Sequence, residues 1–212
     1  MILIKKSHEP ASLTAYRKQQ GAYYDGFPEK DDIRQCLLKE QGYLCAYCMR
    51  RIGIDDMKIE HRIPQSADPT EQLDYRNMLG VCNGGEGMDK KSTTCDTHKG
   101  DAKITINPQE QSHIDTITYS SATGEIHSSD VAMDRDLCDT LNLNCREQYL
   151  PQNRRAALVA TIRFLKKKQS TGDWSKAFLA KVRNMYTRTD ADGKKREYAG
   201  IILWYLDKKI DH

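Results

Sequence analysis

The chain has 212 residues and a mass of 24.3 kDa. With 38% hydrophobic and 30% charged residues it can bury a core, which excludes a disordered polymer. Its net charge of +3 conceals a division: residues 1–145 carry 17 Lys/Arg against 23 Asp/Glu (net −6), and residues 146–212 carry 16 against 7 (net +9). No run approaches 18 apolar residues, which excludes a spanning helix on this pattern. Met1–Ile4 is apolar, but Lys5 and Lys6 follow at once, the wrong order for a secretory signal. The expectation is a soluble cytoplasmic protein.

Residues 1–6 read as a short strand or extended arm. Residues 7–29 mix Pro10, Gly21, Gly26 and Pro28 with Tyr16, Tyr23, Tyr24 and Phe27, a lead-in that packs against something, with a short helix over 13–20. A helix is expected over 31–41, capped by Asp31 or Asp32, with Ile33, Cys36 and Leu37 as its apolar stripe and Gly42 as its stop. A tight turn over 42–49 carries two cysteines. Ile52 and Ile54 suggest a strand, Met57–His61 a second one ended by Pro64, and 73–81 an apolar segment helical at its start. A polar loop with Gly84, Gly85 and Gly87 fills 83–94.

Strands are expected at 104–106 and 116–119, the latter completing a hairpin with 125–127 across a turn. Helices follow at 131–141, at 150–168 with Pro151 near its start, from a cap at Asp173 to about Tyr186, and at 199–210. This is an α+β chain, divided as an N-terminal arm and helix (1–41), a compact unit (42–103), a β-hairpin region (104–129) and a basic helical region (130–212).

Seven cysteines stand at 36, 45, 48, 82, 95, 138 and 145. An odd number without an export signal argues against a disulfide framework and for metal binding. Cys45-x2-Cys48 can bite one ion from a tight turn. A redox dithiol would rather sit at a helix N-terminus after a strand, whereas these follow a helix and a glycine. Cys82 and Cys95 could complete a four-cysteine structural zinc, if the glycine-rich loop folds back across their twelve intervening residues. Cys36, Cys138 and Cys145 read as core, and His8, His113, His127 and His212 as structural or exposed.

Beside the cysteines lie Glu60-His61, Asn77 and Asp96-Thr97-His98-Lys99-Gly100. These residues resemble the HNH nucleases with their ββα-metal motif. Gly42-x-Leu44-Cys45-Ala46-Tyr47-Cys48, Ile59-Glu60-His61-x-x-Pro64, Leu141-Asn142-Leu143-Asn144 and Asn153-Arg154 are similar to the HNH partner of the Septu antiphage system, a protein type that also accompanies some retrons. The resemblance implies a zinc-stapled ββα-metal core embedded in a mainly helical protein. It also implies a phosphodiesterase acting on DNA and a partner ATPase of the ABC/SMC-like class; RNA is the rival substrate, since nothing in these motifs reads the sugar.

On that resemblance His61 is the general base and Asn77 steadies the histidine or its loop. Glu60 with Asp96, or His98 in its stead, holds catalytic Mg²⁺ or Mn²⁺. Arg62, Arg76 and Lys99 are candidate phosphate contacts. Arg154, Arg155, Arg163, Lys166, Lys167 and Lys168 could track a nucleic-acid backbone or face an acidic partner. Trp174, Phe178, Trp204 and Tyr205 read as core. A zinc-stapled binding module without turnover is the alternative. No Walker-type phosphate loop is present, so nucleotide control would come from the partner.

Overall fold

The computed structural model describes residues 1–168 and 174–211. Its first ten residues form an extended arm and no strand. Met1 and Ile4 are nevertheless buried, and the Ile4 amide donates to the Pro108 carbonyl (2.8 Å). Helix α1 (Ala11–Tyr16) starts and stops earlier than expected, directly after Pro10. Helix α2 (Lys30–Gln41) has Glu29 at its cap position, so Asp31 and Asp32 lie in its first turn, where their charge complements the helix dipole. Gly42 ends α2 in the left-handed conformation (φ 63°) that a side chain would strain.

Ile52 and Ile54 form no strand; a single bridge between Leu44 and Arg51 closes that turn. Strand β1 (Met57–His61) pairs antiparallel with β2 (Met78–Cys82) in the register Met57↔Cys82 to His61↔Met78. The 73–81 segment is therefore a strand from Met78 onward. Only its entry is helical, two short 3₁₀ turns whose amides are capped by the Asp68 and Asp74 carboxylates. All five β2 residues are buried, because α2 and the short helix α3 (Cys95–Lys99) both pack against it. Buried Gln41 locks α2 to the hairpin: its amide nitrogen donates to the carbonyls of Leu44 and Gly80 (2.7 Å each), and its oxygen accepts from the Gly80 amide (2.8 Å).

Residues 104–106 do not form a strand either. The Thr105 and Ile106 amides donate to the buried Asp136 carboxylate instead of a neighbouring chain. Beyond them come α4 (Gln111–Asp115), β3 (Ile117–Tyr119) and β4 (Ile126–Ser128), the last two forming a second antiparallel pair. Helix α5 (Val131–Arg135) runs into one turn of π-helix over Asp136–Thr140. Helix α6 (Leu150–Lys168) has the expected bounds. The cap expected at Asp173 lies outside the described residues, as does His212. Helix α7 (Lys176–Thr187) is capped by Ser175, whose hydroxyl accepts from the Phe178 amide, and α8 (Ala199–Asp211) packs against α6 and α7.

One hydrophobic cluster runs from Met1 through the β1–β2 hairpin to Leu206, with Trp174, Phe178, Trp204 and Tyr205 packed on it as partly buried members. Among the described residues, no helix is long and apolar enough to cross a membrane.

Candidate metal centre and acid–histidine site

Cys45, Cys48, Cys82 and Cys95 are all buried, and their sulfurs lie within 4.8 Å of one another. The Cys45–Cys95, Cys48–Cys82 and Cys82–Cys95 separations are 3.8, 3.7 and 3.8 Å. Four sulfurs at ~2.3 Å from a tetrahedral zinc would stand ~3.8 Å apart. The chemistry of the set agrees with the distances. Neighbouring sulfurs and burial push the Cys48 and Cys95 thiols well above their usual range. Burial also opposes charge on Cys45, but hydrogen bonds from the other three overcome it and hold its thiol well below that range. Burial among other sulfurs penalises charge on this cluster, and a divalent ion allows all four sulfurs to lose their protons. The cluster can therefore hold a structural zinc.

The cysteines meet because of local backbone choices. The Cys45 amide donates to the Arg50 carbonyl and the Ala46 amide to the Gly80 carbonyl, which presses the Cys45–Cys48 turn onto β2. The long Cys82–Cys95 gap is closed at Gly84. Its carbonyl accepts from the Thr94 amide (2.8 Å), and a Cβ there would stand 2.2 Å from the Thr94 carbonyl oxygen at φ +55°. Cys95 itself has φ 55°, an uncommon value for a cysteine, held by its amide's bond to the Leu141 carbonyl (2.8 Å). Gly84→Ala is expected to cost roughly 1–3 kcal/mol or more and to speed zinc release to a chromogenic chelator. Unchanged release would show that this closure does not shape the cluster.

Beside the cluster lies the end of β1. Adjacent strand residues point to opposite faces, and Glu60 and His61 have different nearest partners. Glu60 is 3% exposed; its Oε1 accepts from the Tyr47 hydroxyl (3.1 Å) and pairs with the Lys99 ammonium (2.9 Å). Burial holds the Glu60 carboxyl well above the usual carboxylate range, aided by a hydrogen bond and like charge from Asp96 and opposed by Lys99. His61 stands edge-on to Tyr24, with ring centroids 4.4 Å apart, and its Nε2 lies 2.9 Å from the Gln72 carbonyl. A carbonyl only accepts, so neutral His61 carries its proton on Nε2 and leaves the Nδ1 lone pair free. Burial keeps this imidazole below its usual pKa; Lys99 adds to that, while the Gln72 carbonyl and Asp96 oppose it. Asp96 and Lys99 thus act on both residues, which brings the two faces of β1 into one electrostatic neighbourhood.

Asn77 does not touch the imidazole. Its Oδ1 accepts from the Ile63 amide (2.8 Å) and its Nδ2 donates to the carbonyls of Ile63 (2.9 Å) and Glu71 (3.3 Å), clamping the chain that leaves His61. His98 is turned away, with Nδ1 on the Lys90 carbonyl (2.9 Å) and beside the Thr93 hydroxyl (3.1 Å). Lys99 is no surface lysine: it is 5% exposed and its ammonium is taken up by Glu60 and the carbonyls of His61 and Gly100. Arg62 is half-buried and Arg76 exposed. In α6, Arg155, Arg163, Lys166, Lys167 and Lys168 are exposed. Arg154 is not on that surface. It is 1% exposed, and it donates to the carbonyls of Gly124 (2.6 Å) and Leu143 (2.9 Å) and to Asn144 Oδ1 (2.9 Å), because a buried guanidinium must satisfy its donors internally. Tyr47 and Tyr24 are site neighbours that sequence reasoning left without a role; the only signals were Tyr47's place inside the cysteine turn and the aromatic content of the lead-in.

Strand, strand and short helix, carrying a buried acid, a histidine and four clustered cysteines, have the order expected of a ββα-metal unit. No family model matches the chain. Over 123 residues it is 29% identical to a protein of Vibrio cholerae serotype O1 biovar El Tor named "Retron Vc95 putative HNH endonuclease". The match covers 53% of this chain and 58% of that protein, so it spans little more than half the length of either. That similarity supports the HNH reading.

Proposed function

We propose that this chain is a metal-dependent HNH endonuclease that hydrolyses phosphodiester bonds in DNA, acting with an ABC/SMC-like ATPase in antiphage defence. The observation that carries the reading is the buried Glu60, next to His61 at the end of β1, with the half-buried Asp96 of α3 acting electrostatically on both. Two carboxylates so placed repel when both are ionised, and a hard divalent cation relieves that repulsion. Held by Glu60 and Asp96, Mg²⁺ or Mn²⁺ would supply Lewis-acid stabilisation of the charge on the leaving 3′ oxygen.

The chain's own groups do the rest. His61 Nδ1 takes the proton from the attacking water while Nε2 stays fixed on the Gln72 carbonyl. Tyr47 and Lys99 orient the Glu60 carboxylate, and Asn77 holds the backbone that sets the His61 ring. The water oxygen bonds to phosphorus as the phosphorus–O3′ bond breaks, and the departing 3′ oxygen takes a proton from solvent, leaving a 5′-phosphate and a 3′-hydroxyl. Zinc among the four cysteines would be structural, since a four-sulfur shell has no open position. The exposed basic residues of α6 are proposed to follow the phosphate backbone.

The deciding assay offers supercoiled DNA, and separately RNA, to the full chain with Mg²⁺ or Mn²⁺, with and without the partner ATPase. Cutting of DNA to 5′-phosphate ends supports the proposal; cutting of RNA alone reassigns the substrate. One feature favours a second reading, a zinc-stapled binding module without turnover: Lys99 already neutralises Glu60 without any metal. Intact substrate in every arm would establish that reading. Asp96→Asn should lower cleavage at least ~100-fold, as losing a metal ligand costs more than losing a group that only orients one. His98→Ala should leave the rate nearly unchanged, and the reverse result would move the ligand to His98.

A further inference from the structure

The β4–α5 junction, in the 104–140 region, holds a second group of donor side chains that the nuclease reading does not use. His127 projects from β4, Asp134 from the last turn of α5, and Cys138 from the π-helical turn that follows. Their ligand atoms all lie within 4.8 Å of one another. His127 Nδ1 is 3.2 Å from Asp134 Oδ1, and Cys138 Sγ is 3.7 Å from each of those atoms. We propose that His127, Asp134 and Cys138 form a second, solvent-accessible site for a divalent transition metal of the zinc type, with one coordination position left open.

The distances carry this. A tetrahedral ion with bonds of ~2.0 Å to oxygen and nitrogen and ~2.3 Å to sulfur needs its ligand atoms ~3.3 Å (N–O) and ~3.5 Å (S–N, S–O) apart. The observed triangle departs from that by about 0.2 Å at most, so an ion needs little rearrangement. One thiolate, one imidazole and one carboxylate are a donor set that suits zinc better than magnesium or calcium. Three protein ligands leave the fourth position to water or to a donor from outside. With side-chain exposures of 46% for His127 and 38% for Asp134, an ion reaches the site from solvent.

The surrounding groups support ligation. Asp134 Oδ1 is fixed by the Ser128 amide (2.9 Å). The Asn144 amide donates to Cys138 Sγ (3.5 Å) and to the Ile126 carbonyl (2.9 Å). Its orientation is unambiguous, because Asn144 Oδ1 accepts from the Arg154 guanidinium, which can only donate. The sulfur is thus offered an N–H, as coordinated thiolates commonly are. Without a cation, burial and then Asp134 push the Cys138 thiol up to about 11, so an ion rather than free nucleophilicity is what would draw out its proton. Asp134 and Cys138 are four residues apart, so one helical face presents both, and Cys138 lies in the π-helical turn, a feature frequent at functional sites. His127 is exposed, as its sequence reading allowed, whereas Cys138, read as core, is half-buried.

The test titrates Co²⁺ into the full chain after the four-cysteine cluster has been loaded with zinc and excess metal removed. One further equivalent is expected to bind, with visible d–d bands and a weak charge-transfer band of a single thiolate. Cys138→Ser and His127→Ala should each abolish it while the chain's zinc content stays at one equivalent; His127 is exposed enough that its loss should not unfold the chain. Cys36→Ser should retain it. No further equivalent, or one that survives both replacements, overturns the proposal. Failure of the four-cysteine reading is separate, since it appears as absent zinc before cobalt is added. Exchange into that cluster is also distinguishable by an intense four-thiolate spectrum that Cys138→Ser leaves intact.

Discussion

Cys45→Ser is expected to release zinc from the four-cysteine cluster and to lower stability by about 4 kcal/mol or more, the range reached when a structural metal is lost. For a chain of this size that is a fall of roughly 8–16 °C in Tm. The size of the effect follows from what the cluster joins. Cys45 and Cys48 sit in the turn after α2, Cys82 ends β2 and Cys95 opens α3, so separate backbone segments meet at one point. Remove one sulfur and α3, only five residues long and not stable alone, loses the metal-mediated tie that joins its first residue to the turn and to β2. The comparison is Cys36→Ser. Cys36 is half-buried and belongs to no cysteine group, so its replacement should retain zinc and cost much less. Zinc content by elemental analysis and Tm by calorimetry read both variants. Equal behaviour of the two would mean that the cluster does not hold the hairpin and α3 together.

The parts of this fold that sequence made legible are those governed by local periodicity or by paired ligands. β1 and α6 have the bounds that their patterns suggest, and Gly42 stops α2 as its lack of a side chain allows. The convergence of all four cysteines was legible from chemistry, even though their spacing was unusual. What local pattern missed was decided by distant partners. Residues 104–106 carry strand-like side chains, but the Asp136 carboxylate, about thirty residues on, takes their amides. Met78–Cys82 shows only as part of an apolar segment, because the alternation that marks a strand is erased when both faces are buried. Arg154 counts as surface charge in any sequence tally, yet it staples the hairpin turn to α6 through carbonyls that sequence does not reveal. For the candidate site, Glu60, His61 and the Asp96–Lys99 run stood out in the sequence, but the helix that carries the last of these did not. Nor did Tyr24, Tyr47 and the carbonyl of Gln72, since nothing in their own neighbourhood marks them.

His61→Ala is expected to reduce cleavage by ~10²–10⁴-fold, the usual contribution of a positioned general base, while zinc content and helicity survive. The separation of the two outcomes is what makes the variant informative. His61 lies at the far end of β1 from Met57, the residue paired with Cys82, so its loss leaves the sulfur cluster untouched. It does leave a space against Tyr24 and a Gln72 carbonyl without its donor, a modest structural cost. A base role and a packing role are told apart by two further readings. Added imidazole should restore part of the rate to His61→Ala, because a diffusible base can enter the vacated space; it should do nothing if the ring only packs. The pH profile gives the second. The wild-type rate should rise with pH as the imidazole loses its proton and then level off. Burial favours the neutral form, so the acid limb should lie below the ordinary value of 6.5, and neutral solution should already be on the plateau. His61→Ala should lose that limb. An unchanged limb in the variant, or a limb centred well above 6.5 in the wild type, would remove His61 from the role of base and leave Glu60, Asp96 and Lys99 to account for proton transfer without it.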